Sequence, residues 1–475
     1  MIALDLVILI PAVAAILAAL AGRSAMAPRW IALVGTLGQG LALAGLVPAG
    51  AFSGRIITSG LHATGIWTLY ADGLAVPLVA LTVFTGLAAI AASWKVADRP
   101  AGHFALLSLL QAALAGVFLA ENVVLFYLAW ESVLIPMFLL IGGWGSSNRR
   151  QAAMKFLVYT FAGGALLLIG IIAAVVETGQ LSIPAIAQAA AGMKSPALVF
   201  WLLTLGFLVK LPAVPLHTWL PDAHTEAPTA GSIILAGVLL KMGGYGLIRM
   251  SIAFAPVAFS AARPLLAALG IVGIVYGAAM ALVQSDLKRL VAYSSVAHMG
   301  FVLLAVASAT PTGLGAALLA MVSHGLIAPL LFFLVGAEYE RTHTRELARL
   351  GGFGAVVPKW SVAFVFASLA SLGLPGLSGF PGEFATLLEA VKAFGGWTAF
   401  VGAGLALAAA YNLRAVRESV QGPIGEFARL DDLDWRETLT VVAFAIAIVA
   451  LGVYPGLVLA TSHRALAAIL TMAGV

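Results

Sequence analysis

The chain has 475 residues, of which 62% are hydrophobic and only 9% charged, with a formal net charge of +5. A soluble fold cannot bury that much apolar surface, so the composition excludes a soluble domain and points to a polytopic membrane protein. The positive charge is too dilute to form a stripe for nucleic acid. With no cysteine, disulfides, thiolate-held iron–sulfur clusters and thioether haem attachment are excluded within this chain.

The first apolar stretch, LVILIPAVAAILAALAG followed by Ala25-Met26-Ala27, has the outline of a secretory leader. Its opening residues contain Asp5 and no Lys or Arg, the wrong charge for a signal, so a retained first helix is expected. Apolar runs of spanning length lie near 2–22, 30–50, 73–94, 102–120, 122–142, 152–177, 196–219 and 228–250. Six more lie near 261–283, 290–309, 312–337, 360–394, 396–416 and 437–460, which makes 14. An all-α polytopic fold is expected, with 1–475 as a single integral domain and 417–436 as the longest polar connection.

Basic residues set the expected orientation. Connections after odd-numbered predicted helices hold 17 of the 25 Lys and Arg residues, Arg23 and Lys288 among them. Those after even-numbered helices hold 5, including Arg249. By the positive-inside rule, both termini face away from the cytoplasm.

Two predicted helices should be broken at membrane depth. The seventh, WLLTLGFLVKLPAVPL, carries Lys210 just before Pro212 and Pro215, which remove backbone donors. The twelfth, SLGLPGLSGFPGEFATLLEA, is broken by proline and glycine and carries Glu383. The separations 383 − 210 and 414 − 241 both equal 173, with five helices between each pair. An odd helix number inverts the second unit. Two inverted five-helix repeats are therefore expected, helices 4–8 (102–250) and helices 9–13 (261–416).

Six ionisable residues fall well inside apolar runs. They are Glu131 in LFYLAWESVLIPMFLLI, Lys210, Lys241 in GSIILAGVLLKMGGYGL, His298 in AYSSVAHMGFVLL, His324 in AALLAMVSHGLIAPLLFF, and Glu383. A charge at bilayer depth costs about 2.5–3.5 kcal/mol on insertion scales, so such residues mark ion or proton pathways by default. Glu, Lys and His can each bind and release a proton, and a row of them suits proton movement. The plainer reading makes His298 and His324 interhelical hydrogen-bond partners; the sharper rival is a bis-histidine haem. His217, Asp222, His224 and Glu226 could be read as metal ligands, but a loop capped by Asp222 or Thr225 is the expected arrangement. Asp431, Asp432 and Asp434 read as a solvated loop, and Arg414 as a side chain snorkelling from a helix end.

The segments FLVKLPAVPLHTWLPDAHTEAPTAGSIILAGVLLK, DLKRLVAYSSVAHMGFVLLA, SHGLIAPLLFFLVGAEYERTHTR and LGLPGLSGFPGEF resemble the antiporter-like membrane subunits of respiratory complex I (NADH-quinone oxidoreductase). The resemblance runs over essentially the whole chain. Glu383 in GEF is similar to the M type, the counterpart of mitochondrial subunit 4, where L, N and Mrp-type relatives generally carry lysine. No run after helix 14 matches the long lateral helix of the L type.

The resemblance implies a proton-translocating subunit without a redox centre. NADH, FMN, iron–sulfur clusters and quinone would lie in partner subunits, and the neighbours would be L- and N-type subunits in a bacterial inner membrane. It implies that Glu131 pairs with Lys210, that Lys241 is the central lysine of helix 8, that His298 and His324 extend the axis, and that Glu383 is the terminal acid. The rival readings are an Mrp-type cation/proton antiporter or membrane-bound hydrogenase subunit, and a purely structural membrane scaffold.

Overall fold

The computed structural model describes residues 2–22, 24, 26–50, 55–60 and 65–472. Arg23 and Ala25, used above for charge placement and the leader outline, lie outside the described residues. Among the described residues, ten helices are long and apolar enough to cross a membrane. The four remaining predicted spans differ for identifiable reasons. Helix Ile2–Leu20 has a short apolar part, Leu4–Leu20, and Ala27–Ala44 carries Arg29 and Gln39. The seventh and twelfth are interrupted.

The first interruption ends helix Pro196–Lys210, and the chain resumes helix only at Trp219–Glu226. Proline cannot donate to the helical ladder, so Pro212 and Pro215 stop it there. The second separates Pro358–Ser371 from Gly379–Phe394. Gly373 and Gly376 turn the chain at φ +80° and +93°, a region open to glycine because it has no Cβ.

Two features depart from expectation. A two-stranded antiparallel hairpin pairs Ile57–Gly60 with Thr68–Ala71, with Leu69 and Ala71 facing inward. Asp5 holds it, accepting from Ser59 Oγ at 2.5 Å and Trp67 Nε1 at 2.8 Å. At the other end, the predicted run 437–460 divides into Trp435–Val453 and a separate helix, Gly456–Met472, because Pro455 ends the ladder.

The polar connections gather on two opposite faces. On one, Arg99 donates to Gly143 O, Asp222 bridges Lys155 (2.6 Å) and Arg289 (3.2 Å), Arg345 donates to Thr225 O, and Arg341 pairs with Glu437 at 2.6 Å. On the other, Asn122 Nδ2 donates to Thr68 Oγ1, Arg249 pairs with Asp72, and Thr310 donates to Glu389. The basic connections thus share one face.

Each face has a corner of the same construction. Asn122 bridges Ser182 and caps helix Val123–Ser132; Asp286 bridges Glu346 and caps Leu287–Ser308. The separations 286 − 122 and 346 − 182 both equal 164. The earlier spacing of 173 is not the same relation. Lys210 ends the helix before its break, whereas Glu383 lies in the helix after its break, so the two do not occupy equivalent places.

Several polar residues do different work from that expected. Asp222 and Thr225 sit inside helix Trp219–Glu226 rather than at a cap. The acidic run is structural: Asp432 accepts from the amides of Lys359 and Trp360, and Asp434 forms a capping box with Glu437. Arg414 is held by Glu418 at 3.0 Å and donates to Leu282 O.

Backbones approach closely where Thr229–Phe254 crosses Pro196–Lys210. A Cβ at Gly243 would stand 2.6 Å from Phe207 O and 2.7 Å from Leu211 N. Gly243→Ala is expected to destabilise the protein by about 1–3 kcal/mol, the usual cost of overpacking. The check is the thermal unfolding midpoint of the purified protein, and an unchanged midpoint would refute this contact.

Candidate functional site

Lys241 lies in the helical stretch Thr229–Phe254, whose apolar window is entirely buried. Two π-helical turns, Leu235–Leu239 and Leu247–Ser251, flank it. Such widened turns take carbonyls out of the regular ladder. Lys241 Nζ donates to one of them, Ala236 O, and to His324 Nδ1 at 2.7 Å. The lysine is 0% exposed, and these are its hydrogen-bond acceptors among the described residues.

From His324 the site continues sideways. The His324 and His298 rings lie 5.5 Å apart between centroids. His298 Nδ1 is 2.9 Å from Glu383 Oε1, and its Nε2 is 3.3 Å from Ser371 Oγ. The broken helix thus supplies both partners of His298, Ser371 before the break and Glu383 after it. Ser323 Oγ and Ser378 Oγ, 2.9 Å apart, tie the His324 helix to the same break. His298, His324, Ser294, Ser371 and Glu383 line a cavity of ≈ 20 Å³, measured at the centre of a water-sized sphere. One water needs roughly 10–15 Å³ on that measure, so a water fits between the two histidines and the carboxylate.

Four of the six expected residues therefore form one contiguous row: Lys241, His324, His298, Glu383. Glu131 and Lys210 stand apart from it, and the expected ion pair between them is not closed. No contact within ion-pair distance joins them among the described residues, although their charges act on one another across the gap. The physical reason is packing. Glu131 Oε1 occupies the notch at Gly164, 2.0 Å from where a Cβ would stand. The Lys210 ammonium instead faces the rings of Phe156 (5.5 Å) and Trp130 (5.7 Å).

Three buried groups escaped the sequence reading. His224 is 0% exposed, stacks on Phe332 at 4.4 Å, and has both ring nitrogens without a partner among the described residues. Lys288 is buried and donates to Ala227 O at 2.5 Å. Arg249 is buried against Asp72. Lys288 and Arg249 lie close to helix ends, so position alone assigned them to connections; the broken-helix context assigned His224 to a loop. Asp222 is taken by Lys155 and Arg289, Glu226 accepts from Asn148 N, and no group of three or more His, Cys, Asp or Glu among the described residues is placed to hold a metal.

A family profile described as NADH:quinone oxidoreductase/Mrp antiporter, transmembrane, matches residues 120–408. The chain belongs to that family. It is 43% identical over 411 residues to NAD(P)H-quinone oxidoreductase chain 4 of Trichormus variabilis, covering 83% of this chain and 76% of that protein. It is 40% identical over 454 residues to NADH-quinone oxidoreductase subunit M of Rhodobacter capsulatus, covering 90% and 88%. Among solved structures, a chain of respiratory complex I from Thermus thermophilus superposes with a TM-score of 0.90 at 29% identity, covering 99% of this chain and all of that one. A chain of an Mrp complex from a Dietzia species shares the fold, with a TM-score of 0.87 at 20% identity over 99% and 98% of the two chains. The matched span of the family profile contains all six ionisable residues singled out above.

The open gap between Glu131 and Lys210 gives a quantitative expectation. Removing one partner of a contacting buried pair typically costs about 3–5 kcal/mol, because the other is left uncompensated. Here each side chain already has its own surroundings. A double-mutant cycle of Glu131→Gln and Lys210→Met, read from unfolding free energies, is expected to give a coupling below about 1 kcal/mol, near the range of separated sites. A coupling of the contact-pair size would show that the gap is closed.

Proposed function

We propose that this chain is the M-type antiporter-like subunit of a respiratory complex I, an NADH-quinone oxidoreductase, and that it carries protons across the membrane while partner subunits carry out the redox chemistry. The observation that carries this reading is the row Lys241–His324–His298–Glu383, with direct contacts at 2.7 and 2.9 Å and a water-sized cavity between. Each member can gain or lose a proton.

In this reading the ten long helices, the helices Ile2–Leu20 and Ala27–Ala44 and the two broken ones make 14 crossings. The paired corners at a spacing of 164 support two inverted repeats, 102–250 and 261–416. The face that gathers the basic connections is cytoplasmic by the positive-inside rule, which puts both termini on the other side of a bacterial inner membrane. His224 and Lys288 lie toward the cytoplasmic face from Lys241 and supply protons to it. Lys241 passes them to His324, and Glu383 releases them through the break in its helix. Glu131 and Lys210 act on the row by charge. The lipid-facing helices, such as Trp435–Val453, meet lipid or the neighbouring L- and N-type subunits, and NADH, FMN, iron–sulfur clusters and quinone belong to partners.

An Mrp-type antiporter role has the shared fold in its favour, and sodium flux without NADH would be its signature. A purely structural scaffold would leave pumping untouched by loss of the row's charges.

Lys241→Ala is expected to leave the complex assembled on native gels while proton pumping falls by about tenfold or more, a change of at least about 1.4 kcal/mol in the limiting barrier. Wild-type pumping at matched assembly would overturn the proposal. Glu383→Gln keeps the side-chain shape but cannot titrate, so redox-driven pumping is expected to fall comparably. Glu383→Asp should retain part of it, since the shorter acid still reaches His298 through the cavity water. Equal pumping by Gln and wild type would make Glu383 a purely structural residue.

A further inference from the structure

Eight residues beyond Lys241 on the same stretch, about 12 Å along a helix axis, lies a second buried charge that the proton row does not use. Arg249 Nη2 donates to Asp72 Oδ1 at 2.7 Å, and the side chains are 9% and 2% exposed. Arg249 Nε donates to Tyr245 Oη at 3.2 Å, and Tyr245 Oη donates in turn to Phe118 O at 3.0 Å. The guanidinium stands 5.2 Å from the ring centroids of both Tyr70 and Tyr245. Asp72 also accepts from the amides of Leu74 and Ala75. It follows strand Thr68–Ala71, so the cluster sits beneath the hairpin on the face with few basic connections.

This layer is chemically unsuited to passing a proton. A guanidinium has no lone pair to accept one and keeps its charge at any working pH. The tyrosine hydroxyl is committed as a donor to a backbone carbonyl. Burial pushes the Asp72 carboxyl up, but Arg249 beside it and the Ala75 and Leu74 amides hold it below the usual range. Leu69, Ala71, Leu74 and Ala75 pack around it with no exposure. Meanwhile Lys241 Nζ points away, toward Ala236 O and His324.

We propose that the Asp72–Arg249 pair, with Tyr245, is the outer seal of the lysine site. It closes the direct path from Lys241 to the non-cytoplasmic face and leaves His324, His298 and Glu383 as the way out. Without it, a proton on Lys241 has a short return path, and the gradient would discharge through the subunit. The inference rests on the proton-carrying reading above.

The test uses the intact complex in vesicles. The double variant Asp72→Asn/Arg249→Gln removes both charges without orphaning either, and Asp72→Asn alone is the second variant. NADH oxidation is expected to persist at half the wild-type rate or more. Protons moved per electron should fall at least twofold, and an imposed pH gradient without turnover should decay several-fold faster than in wild type. Adding Lys241→Ala to the leaky variant should abolish the leak. Assembled variants that hold the gradient and pump at wild-type stoichiometry would overturn the seal, as would a leak that survives Lys241→Ala. If the double variant does not assemble, the same readings on Asp72→Asn decide the matter. Normal pumping by Lys241→Ala alone would instead sink the proton-carrying reading, so the two failures are distinguishable.

Discussion

The Lys241 side chain is fully buried, has no carboxylate beside it among the described residues, and is held by one backbone carbonyl and one imidazole. A lone buried ionisable side chain is among the most expensive features a membrane fold can keep, and it persists only where the surroundings are built for it. The surroundings here begin with the backbone. The π-helical turn Leu235–Leu239 offers Ala236 O to the side chain, and a second such turn follows at Leu247–Ser251. The stretch between is sealed on all sides, with Gly243 against Phe207 and Leu211 and Gly244 against Met321. Small residues there let the neighbouring helices close over the charge.

The same constraint explains why the chain tolerates two breaks at membrane depth. In lipid, every backbone polar group needs a partner, so irregular backbone survives only where protein covers it. At the first break, Trp219 Nε1 donates to Val209 O, and Ala213 N reaches back to Leu208 O. At the second, Leu374 N reaches back to Leu369 O, and Ser378 is bonded to Ser323 on the His324 helix. The second break thereby serves the row directly, presenting Ser371 and Glu383 from its two ends to one imidazole. Glu383 is the carboxylate in contact with that row, so the row's net charge depends on its protonation.

Much of this was legible in the residues, and the failures are instructive. Pro212, Pro215 and the Gly-Pro run before Glu383 mark the breaks because their effect on the ladder is local. Lys241, His298, His324 and Glu383 stand out because a polar residue in an apolar run has few structural excuses. The contacts of Glu131 and Lys210 were not legible, since the notch at Gly164 and the faces of Trp130 and Phe156 belong to tertiary packing. Lys288 and Arg249 read as topology signals because both sit near helix ends, where hydropathy cannot tell an exposed cation from one folded inward. The π-helical turns leave no mark in the sequence: LAGVL and LIRMS look like ordinary helix.

The repeat is where sequence and structure disagree most usefully. A spacing of 173 pairs charges; the spacing of 164 pairs construction, a capped helix start bridged to the strand-like segment after the following helix. Construction is set by backbone hydrogen bonds, whereas charges can be relocated one side chain at a time. The two corners share a construction, but the two helix breaks do not share a site. In the first, Lys210 stops short of the break and faces aromatic rings, with Glu131 separated from it. In the second, Glu383 stands beyond the break in contact with His298. The first break thus holds opposite charges apart, and the second holds acid and base in contact.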